Sequence, residues 1–524
     1  MKDEYDVIVV GGGLAGLTSA AFLCKYGYQT LVCEKSNKTG GLVNCFWHQG
    51  YAFDSGIRAF ENSGIIFPML KSLGIDIEFI KNPVSIGIKD KFVKIDSRAS
   101  LSQYTSMLIN LFPENEKDVK EIEKLIGKVI GYMDVLYGID NPLFLENMKD
   151  REYLCKTLLP WFFKYIINIQ KVNHLNEPIN TYLKRITNNQ SLIDMITQHF
   201  FENTPTFFAM SYFGVYLDYV YPKGGTGVLA KKLTEYILSS GGDILYDTEV
   251  TEVNVKEQKI TANGKKYLFN KLVWAANQKT LYNSLCDHES SKINKKQLLL
   301  SQCEGGDSIL TVFLGIDIKK EYFQEKCGAH TFYTPLTSGL SALNKCDITT
   351  SSIDELYSWV GKYLELTTYE ISCPVLRDQS LAPIGKTGLI ISTLIDYHLV
   401  KHMFALGEYD SFKKYCIKKI ESVMTNSLFG DILEHIEFSI CSTPLTVERQ
   451  TSNFEGAITG WAFTNHKMPA INHFMKIAKS SKTPIKNVFQ CGQWTFSPSG
   501  LPISILTGKM AADAVHKKTK GFEK

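Results

Sequence analysis

Residues 5 to 16 read Tyr-Asp-Val-Ile-Val-Val-Gly-Gly-Gly-Leu-Ala-Gly, an apolar run that feeds straight into a glycine loop. Val7 to Val10 predicts a buried strand, because short continuous apolar runs rich in β-branched residues suit the interior of a parallel sheet. The stretch Leu17-Thr18-Ser19-Ala20-Ala21-Phe22-Leu23 predicts a helix. Between the two stands Gly11-x-Gly13-x-x-Gly16. Gly11 permits the tight turn, Gly13 lets backbone approach a pyrophosphate, and Gly16 lets helix and strand pack closely. The N–H groups at the helix start, around Leu14 and Ala15, are then free to meet phosphate oxygens.

The context strengthens the motif. A second strand, Thr30-Leu31-Val32-Cys33, ends in Glu34 and Lys35. Glu34 follows the glycines by about 20 positions, the spacing of an acid that binds a ribose 2′-hydroxyl. An acid there repels a 2′-phosphate, which disfavours NADP at this site.

Length and composition restrict the rest. A chain of 524 residues is long enough for two or three domains, although interleaved segments can fuse them. A net charge of +3 gives no footing for nucleic acid. The twelve cysteines are spread singly, with no CxxC pair and no Cys/His cluster of metal-ligand spacing, so no metal is expected. Scattered thiols point to a reducing compartment, and a first strand starting near residue 5 leaves no room for a secretion signal. The expected location is cytoplasmic. No uninterrupted apolar stretch of about 18 residues predicts a membrane span. Tyr153 to Ile167, broken by Lys156, Pro160 and Lys164, reads as a wall of the protein's own core, with peripheral contact at a membrane interface as the alternative.

Further α/β patterns recur along the chain. Val228 to Leu238 predicts an amphipathic helix, closed by Gly241-Gly242 and followed by a strand from Asp243. Val250 to Val255 and Lys259 to Ala262 predict a hairpin, Leu272 to Ala276 a buried strand, and Asn487 to Cys491 another before a small-residue helix, Ile503 to Val515. The fold expected is α/β: a discontinuous Rossmann-like nucleotide-binding domain from residues 1–80, 220–290 and 440–524. An interleaved α+β substrate domain takes 81–219 and 291–439. Between His199 and Tyr221 lie eight aromatics, among them Phe200, Phe207, Phe208, Tyr212, Tyr216 and Tyr219. Their density suits the wall of an apolar tunnel as well as a core.

At this point the chain resembles the FAD-dependent oxidoreductases that include phytoene desaturases, carotenoid isomerases and retinol saturases. Gly40-Gly41 followed by Gly50-Tyr51-Ala52-Phe53-Asp54-Ser55-Gly56 is similar to the family's GG and G-x-x-F-D-x-G elements. Tyr221-Pro222-Lys223-Gly224-Gly225 is similar to its Y-P-x-G-G element, and Thr443-Pro444-Leu445-Thr446 to its late T-P-x-T. Cys491-Gly492-Gln493-Trp494 and Gly500-Leu501-Pro502 resemble the motif that closes on the flavin. Many relatives carry a basic residue after the double glycine, where this chain has Leu42, so it leans toward the isomerases and saturases.

The resemblance implies FAD as cofactor, with Gly11, Gly13, Leu14, Ala15, Gly16, Glu34, Lys35, Gly41, Leu42, Gly56, Arg58, Val250, Gly492, Leu501 and Pro502 as its contacts. It implies hydride exchange with a C–C or C=C unit of a hydrophobic small molecule, by desaturation, saturation or isomerisation. Arg58 and Glu61 are the candidate catalytic residues, with an i, i+3 helical ion pair as their alternative role. His48 reads as a loop histidine, and Trp494 and Phe496 as flavin-packing or tunnel-capping groups, with ordinary core packing as the alternative. No second dinucleotide motif appears, so an electron donor or acceptor outside the chain is required. An amine- or porphyrinogen-type flavin oxidase, and a flavin-free prenyl-lipid carrier of the same fold, are the competing readings.

Overall fold

The computed structural model describes residues 2–145, 151–286 and 290–520, so the expected segment ends at 1 and 524 lie outside the described residues. Its main sheet grows from the glycine-loop strand, Glu4–Val10, flanked in parallel by Thr30–Cys33 and Lys265–Trp274. Outward from these lie Asp243–Leu245 on one side and the hairpin Lys259–Ala262 and Val250–Asn254 on the other. Val488–Gln490 pairs in parallel with Lys265–Trp274. Strands far apart in sequence thus share one sheet, because each is short, apolar and unable to bury its faces alone. Helix Leu14–Lys25 packs across this sheet against the C-terminal helix Leu501–Lys520. A Cβ on Gly16 would lie 1.9 Å from the Gly11 carbonyl oxygen, so no larger residue is compatible with this strand-to-helix approach.

The second large sheet runs Ile436–Ser442, Ser308–Ile316, Thr387–Ile395, Tyr369–Ser372, His330–Thr334, Val84–Ile88, Lys91–Ile95. It is antiparallel except where Val84–Ile88 joins His330–Thr334. Its edge strand Ile436–Ser442 crosses position 440. Tyr219–Pro222 likewise crosses 220, and pairs with Phe60–Glu61 and Phe79–Lys81. These crossings weld the nucleotide-binding and inserted parts together.

Helix Thr206–Leu217 is apolar on nearly every side, which a helix tolerates only when enclosed. It lies against helix Glu116–Leu136. Helix Leu159–Asn173 packs on Glu116–Leu136 through Ile169 and Val172. Four of its other apolar residues correct the expectation of a core wall: Leu159, Phe162, Phe163 and Ile167 face outward. There is more apolar surface on this helix than one partner helix covers. Among the described residues no helix is long and apolar enough to cross a membrane.

Candidate functional site

A cavity of about 430 Å³ runs from the glycine loop to the second sheet. Gly11, Gly13, Leu14, Ala15, Glu34, Gly41, Leu42 and Gly56 line one end, and Gly492, Leu501 and Pro502 close over it. Nothing lies within 4 Å of where a Cβ of Gly13 would stand, so the cavity reaches bare backbone there. Helix Leu14–Lys25 starts at this point with no side-chain cap and no acid in its first turn. Its N–H groups and positive dipole end are therefore available to an anion. The Glu34 carboxylate accepts the Gly12 N–H at 2.6 Å and the Ser36 N–H at 2.8 Å. Each oxygen retains a further lone pair for a ribose hydroxyl. These features fit a dinucleotide such as FAD.

Three expected contacts sit elsewhere. Gly16 is packed on the Gly11 carbonyl, Lys35 pairs with Glu249 at 3.2 Å on the surface, and Val250 stays in its hairpin. None of them lines the cavity.

The motif segments are joined by one buried carboxylate. Asp54, 1% exposed, accepts the Tyr221 hydroxyl at 2.9 Å and both the Thr226 N–H and hydroxyl, at 2.9 and 2.8 Å. The F-D-x-G and Y-P-x-G-G elements are therefore halves of one hydrogen-bonded unit.

Arg58 lines the cavity but is 2% exposed. Its guanidinium donates to the Asp54 carbonyl at 2.7 Å, to the Gly56 carbonyl, and to Ser392 Oγ at 3.0 Å. Glu61 lies on the strand Phe60–Glu61 and faces the cavity beside Gly500. No helix joins the two residues, so an i, i+3 helical pair does not form. Burial, with Asp218 nearby, pushes the Glu61 carboxyl up to about 7. His48 belongs to the strand Cys45–His48 rather than to a loop, with its ring against Phe438. Trp494 lines the cavity, whereas Phe496 is buried behind it on Phe474.

The aromatic stretch forms the other end. Phe200, Phe207, Phe208, Tyr212, Tyr216 and Tyr219 all line the cavity, while Phe213 turns away against Tyr104. Three polar residues that the sequence reading missed join them. His199 is pushed down to about 4 by burial. His330 Nε2 lies 2.8 Å from Glu370 Oε1, and both residues face the cavity. Burial pushes the Glu370 carboxyl up, but the His330 hydrogen bond and the charges of Arg58 and Arg377 outweigh it and leave it below its ordinary value. The 40 positions between His330 and Glu370 hold no local signal. Only the strand register, Phe332 opposite Glu370, brings them together.

With this geometry in place, the comparisons are specific. Residues 9–73 match the family described as an NAD(P)-binding Rossmann-like domain. Over 94% of its length the chain is 23% identical to all-trans-retinol 13,14-reductase of Danio rerio, covering 83% of that protein. It is 22% identical to prolycopene isomerase 2 of an Oncidium hybrid cultivar, over 100% of this chain and 85% of that one. It is 24% identical to the 1-hydroxycarotenoid 3,4-desaturase of a Flavobacterium strain, over 97% and 98%. The chain is a homologue of these enzymes. Among solved structures, an oxidoreductase from Methanosarcina mazei superposes with a TM-score of 0.61 at 13% identity, over 98% of this chain and 99% of that one. A putrescine oxidase gives 0.60 at 12%, over 98% and 99%. Both share the fold.

Two outcomes follow from the site. Glu61 holds its proton to higher pH folded than unfolded, so its stabilising contribution is complete below about 4.5 and is lost as pH rises through about 7. Glu61→Gln should flatten the fall in urea-unfolding stability between pH 5 and 8, and an unchanged slope would remove Glu61 as its source. Arg58→Ala removes the donor from the buried Asp54 carbonyl and the partly buried Gly56 carbonyl, while Ser392 keeps Thr311, so it should destabilise the protein by about 2 kcal/mol as well as disturb the site. A variant with wild-type urea midpoint would show that those bonds contribute little.

Proposed function

We propose that the protein is an FAD-dependent oxidoreductase acting on C–C or C=C bonds of a hydrophobic polyene or isoprenoid. One observation carries this reading: a single cavity joins the glycine cradle to the aromatic wall. The homologues are named for reactions on retinol and carotenoids, which is the ligand class such a wall suits. FAD, when bound, supplies hydride exchange, and the electrons come from or go to a partner outside the chain.

The chain's own residues supply the rest. Gly13, the helix start and Glu34 hold the dinucleotide. Phe207, Phe208, Tyr212 and Tyr216 hold the apolar ligand and exclude water. Burial raises the Glu61 carboxyl to about 7, so this cavity-facing group can give or take a proton near neutral pH. Two buried arginines, Arg58 and Arg377, stand beside the polar end and argue against a cationic amine substrate. The open cradle at Gly13 argues against a flavin-free carrier.

A lipid surface is the proposed source of the substrate. Leu159, Phe162, Phe163 and Ile167 are 52%, 45%, 61% and 56% exposed on one helix that also carries Lys156 and Lys164. Apolar side chains interleaved with lysines suit an anionic bilayer interface. Trp161 on this helix donates to the Val135 carbonyl at 2.7 Å, and Met133 and Tyr137 beside it line the cavity. The exposed face therefore backs onto the tunnel wall.

Purified protein should be yellow, should bleach with dithionite under anaerobic conditions, and should regain colour or isomerise a retinoid or carotene when one is added. A colourless protein that refuses FAD would return the carrier reading. The triple variant Leu159→Ser, Phe163→Ser, Ile167→Ser should lower binding to phosphatidylglycerol vesicles about tenfold or more in co-sedimentation. Equal sedimentation would place the membrane contact elsewhere or nowhere.

A further inference from the structure

We infer that Glu370, held by His330, is a specificity-determining residue that selects ligands carrying a neutral hydroxyl over both their hydrocarbon and their carboxylic acid counterparts. The inference rests on the reading of the cavity as the site of an apolar polyene or isoprenoid, and it names which members of that class the cavity takes.

The geometry is that of a fixed acceptor with one oxygen left over. His330 is 1% exposed and holds Glu370 Oε1 at 2.8 Å. The far side of the imidazole meets the Asn82 side-chain amide at 3.0 Å, and its face stacks on Tyr219 with 9° between the ring planes. Three contacts therefore fix the ring that fixes the carboxylate. The second oxygen of Glu370 has no hydrogen-bond partner among the described residues. The Glu370 side chain is still 31% exposed, and it is the cavity that exposes it. A carboxylate oxygen in such a place needs a donor, and in an aromatic tunnel a bound ligand must bring one.

The surrounding charges decide which donor. Arg377 donates to Ser372 Oγ at 2.6 Å, and Ser372 stands opposite His330 across the strands. Arg58 donates to Ser392 Oγ, and Ser392 stands opposite Glu370. The positive charges of Arg58 and Arg377 already favour the ionised Glu370, so the carboxylate gains less from an ammonium group than an isolated one would. An ionised acid meets the opposite problem. It brings only acceptor oxygens to the free Glu370 oxygen, while the terminal nitrogens of both guanidinium groups are held by backbone carbonyls and serines. A neutral hydroxyl satisfies the free oxygen without adding charge, whereas a hydrocarbon leaves it unpaired.

The test is equilibrium binding of geranylgeraniol, geranylgeranoic acid and the matching C20 hydrocarbon to purified flavin-loaded protein at pH 7.5. Quenching of tryptophan fluorescence is the readout, since it does not depend on turnover. The alcohol should bind about tenfold or more tightly than either counterpart. Glu370→Leu should abolish the preference of alcohol over hydrocarbon while keeping hydrocarbon affinity. Glu370→Gln, which keeps the shape and removes the charge, should shift the alcohol-to-acid ratio toward the acid. A preference that survives in both variants, or wild-type protein that binds the three ligands equally or the acid best, would overturn the inference and leave the apolar cavity standing. Failure to bind any of the three would overturn the reading of the cavity itself.

Discussion

The two sheets meet across a seam of buried charge, and the rest of the architecture hangs on its being satisfied. Asp54 and Arg58, four residues apart, are both almost wholly enclosed. A buried charge without partners costs several kcal/mol, so each must be met by fixed groups. Asp54 is met by Tyr221 and Thr226 from the middle of the chain, and Arg58 by backbone carbonyls and by Ser392 from the second sheet. Three distant parts of the sequence must therefore arrive together before either charge is tolerable. The strand Tyr51–Asp54 and its following loop act as the joint between nucleotide and ligand ends of the cavity.

That dependence explains which features were legible in the sequence. The glycine loop, Glu34 and the strands on either side obey local rules: a tight turn, a helix start, a spacing of about 20 positions. The motif at Asp54 was recognisable only by resemblance, because its meaning lies in the partner at Thr226, 172 positions away. Glu370 and His330 carried no signal at all, since their meeting is a consequence of register between neighbouring strands. Lys35 and Val250 flank real elements, but the local turn sends Lys35 to Glu249 and pairing keeps Val250 in its hairpin.

The helix Leu159–Asn173 shows a different limit. Its apolar residues recur as a core helix's would, and periodicity cannot distinguish a face covered by the same chain from one left for something else. What separates the cases is how much surface the neighbours have to offer. Helix Glu116–Leu136 covers the stripe containing Ile169 and Val172 but also packs against Thr206–Leu217 and turns a charged face to solvent, so it offers no further apolar surface. The aromatics of that enclosed helix are likewise divided by geometry rather than by type. Phe213 completes the core, while Phe208 and Tyr212 line the cavity.

The inner end of the cavity holds two carboxyl groups shifted in opposite directions, and their surroundings explain why. Glu61 has apolar and tyrosine neighbours and the acid Asp218, so burial raises its carboxyl to about 7. Glu370 has His330 and two arginines, so its proton is off in the same enclosed space. Tyr219 lies between them, paired with Glu61 through the strand and stacked on His330 through its ring. Within one aromatic chamber Tyr219 and His330 thus link the two carboxyl groups. Neither shift is intrinsic to glutamate: burial sets that of Glu61, and His330 with the two arginines sets that of Glu370. Because Arg58 is also the group that ties Asp54's loop to the second sheet, the charge pattern of the chamber and the joint between the sheets are the same construction, and neither can be altered without the other.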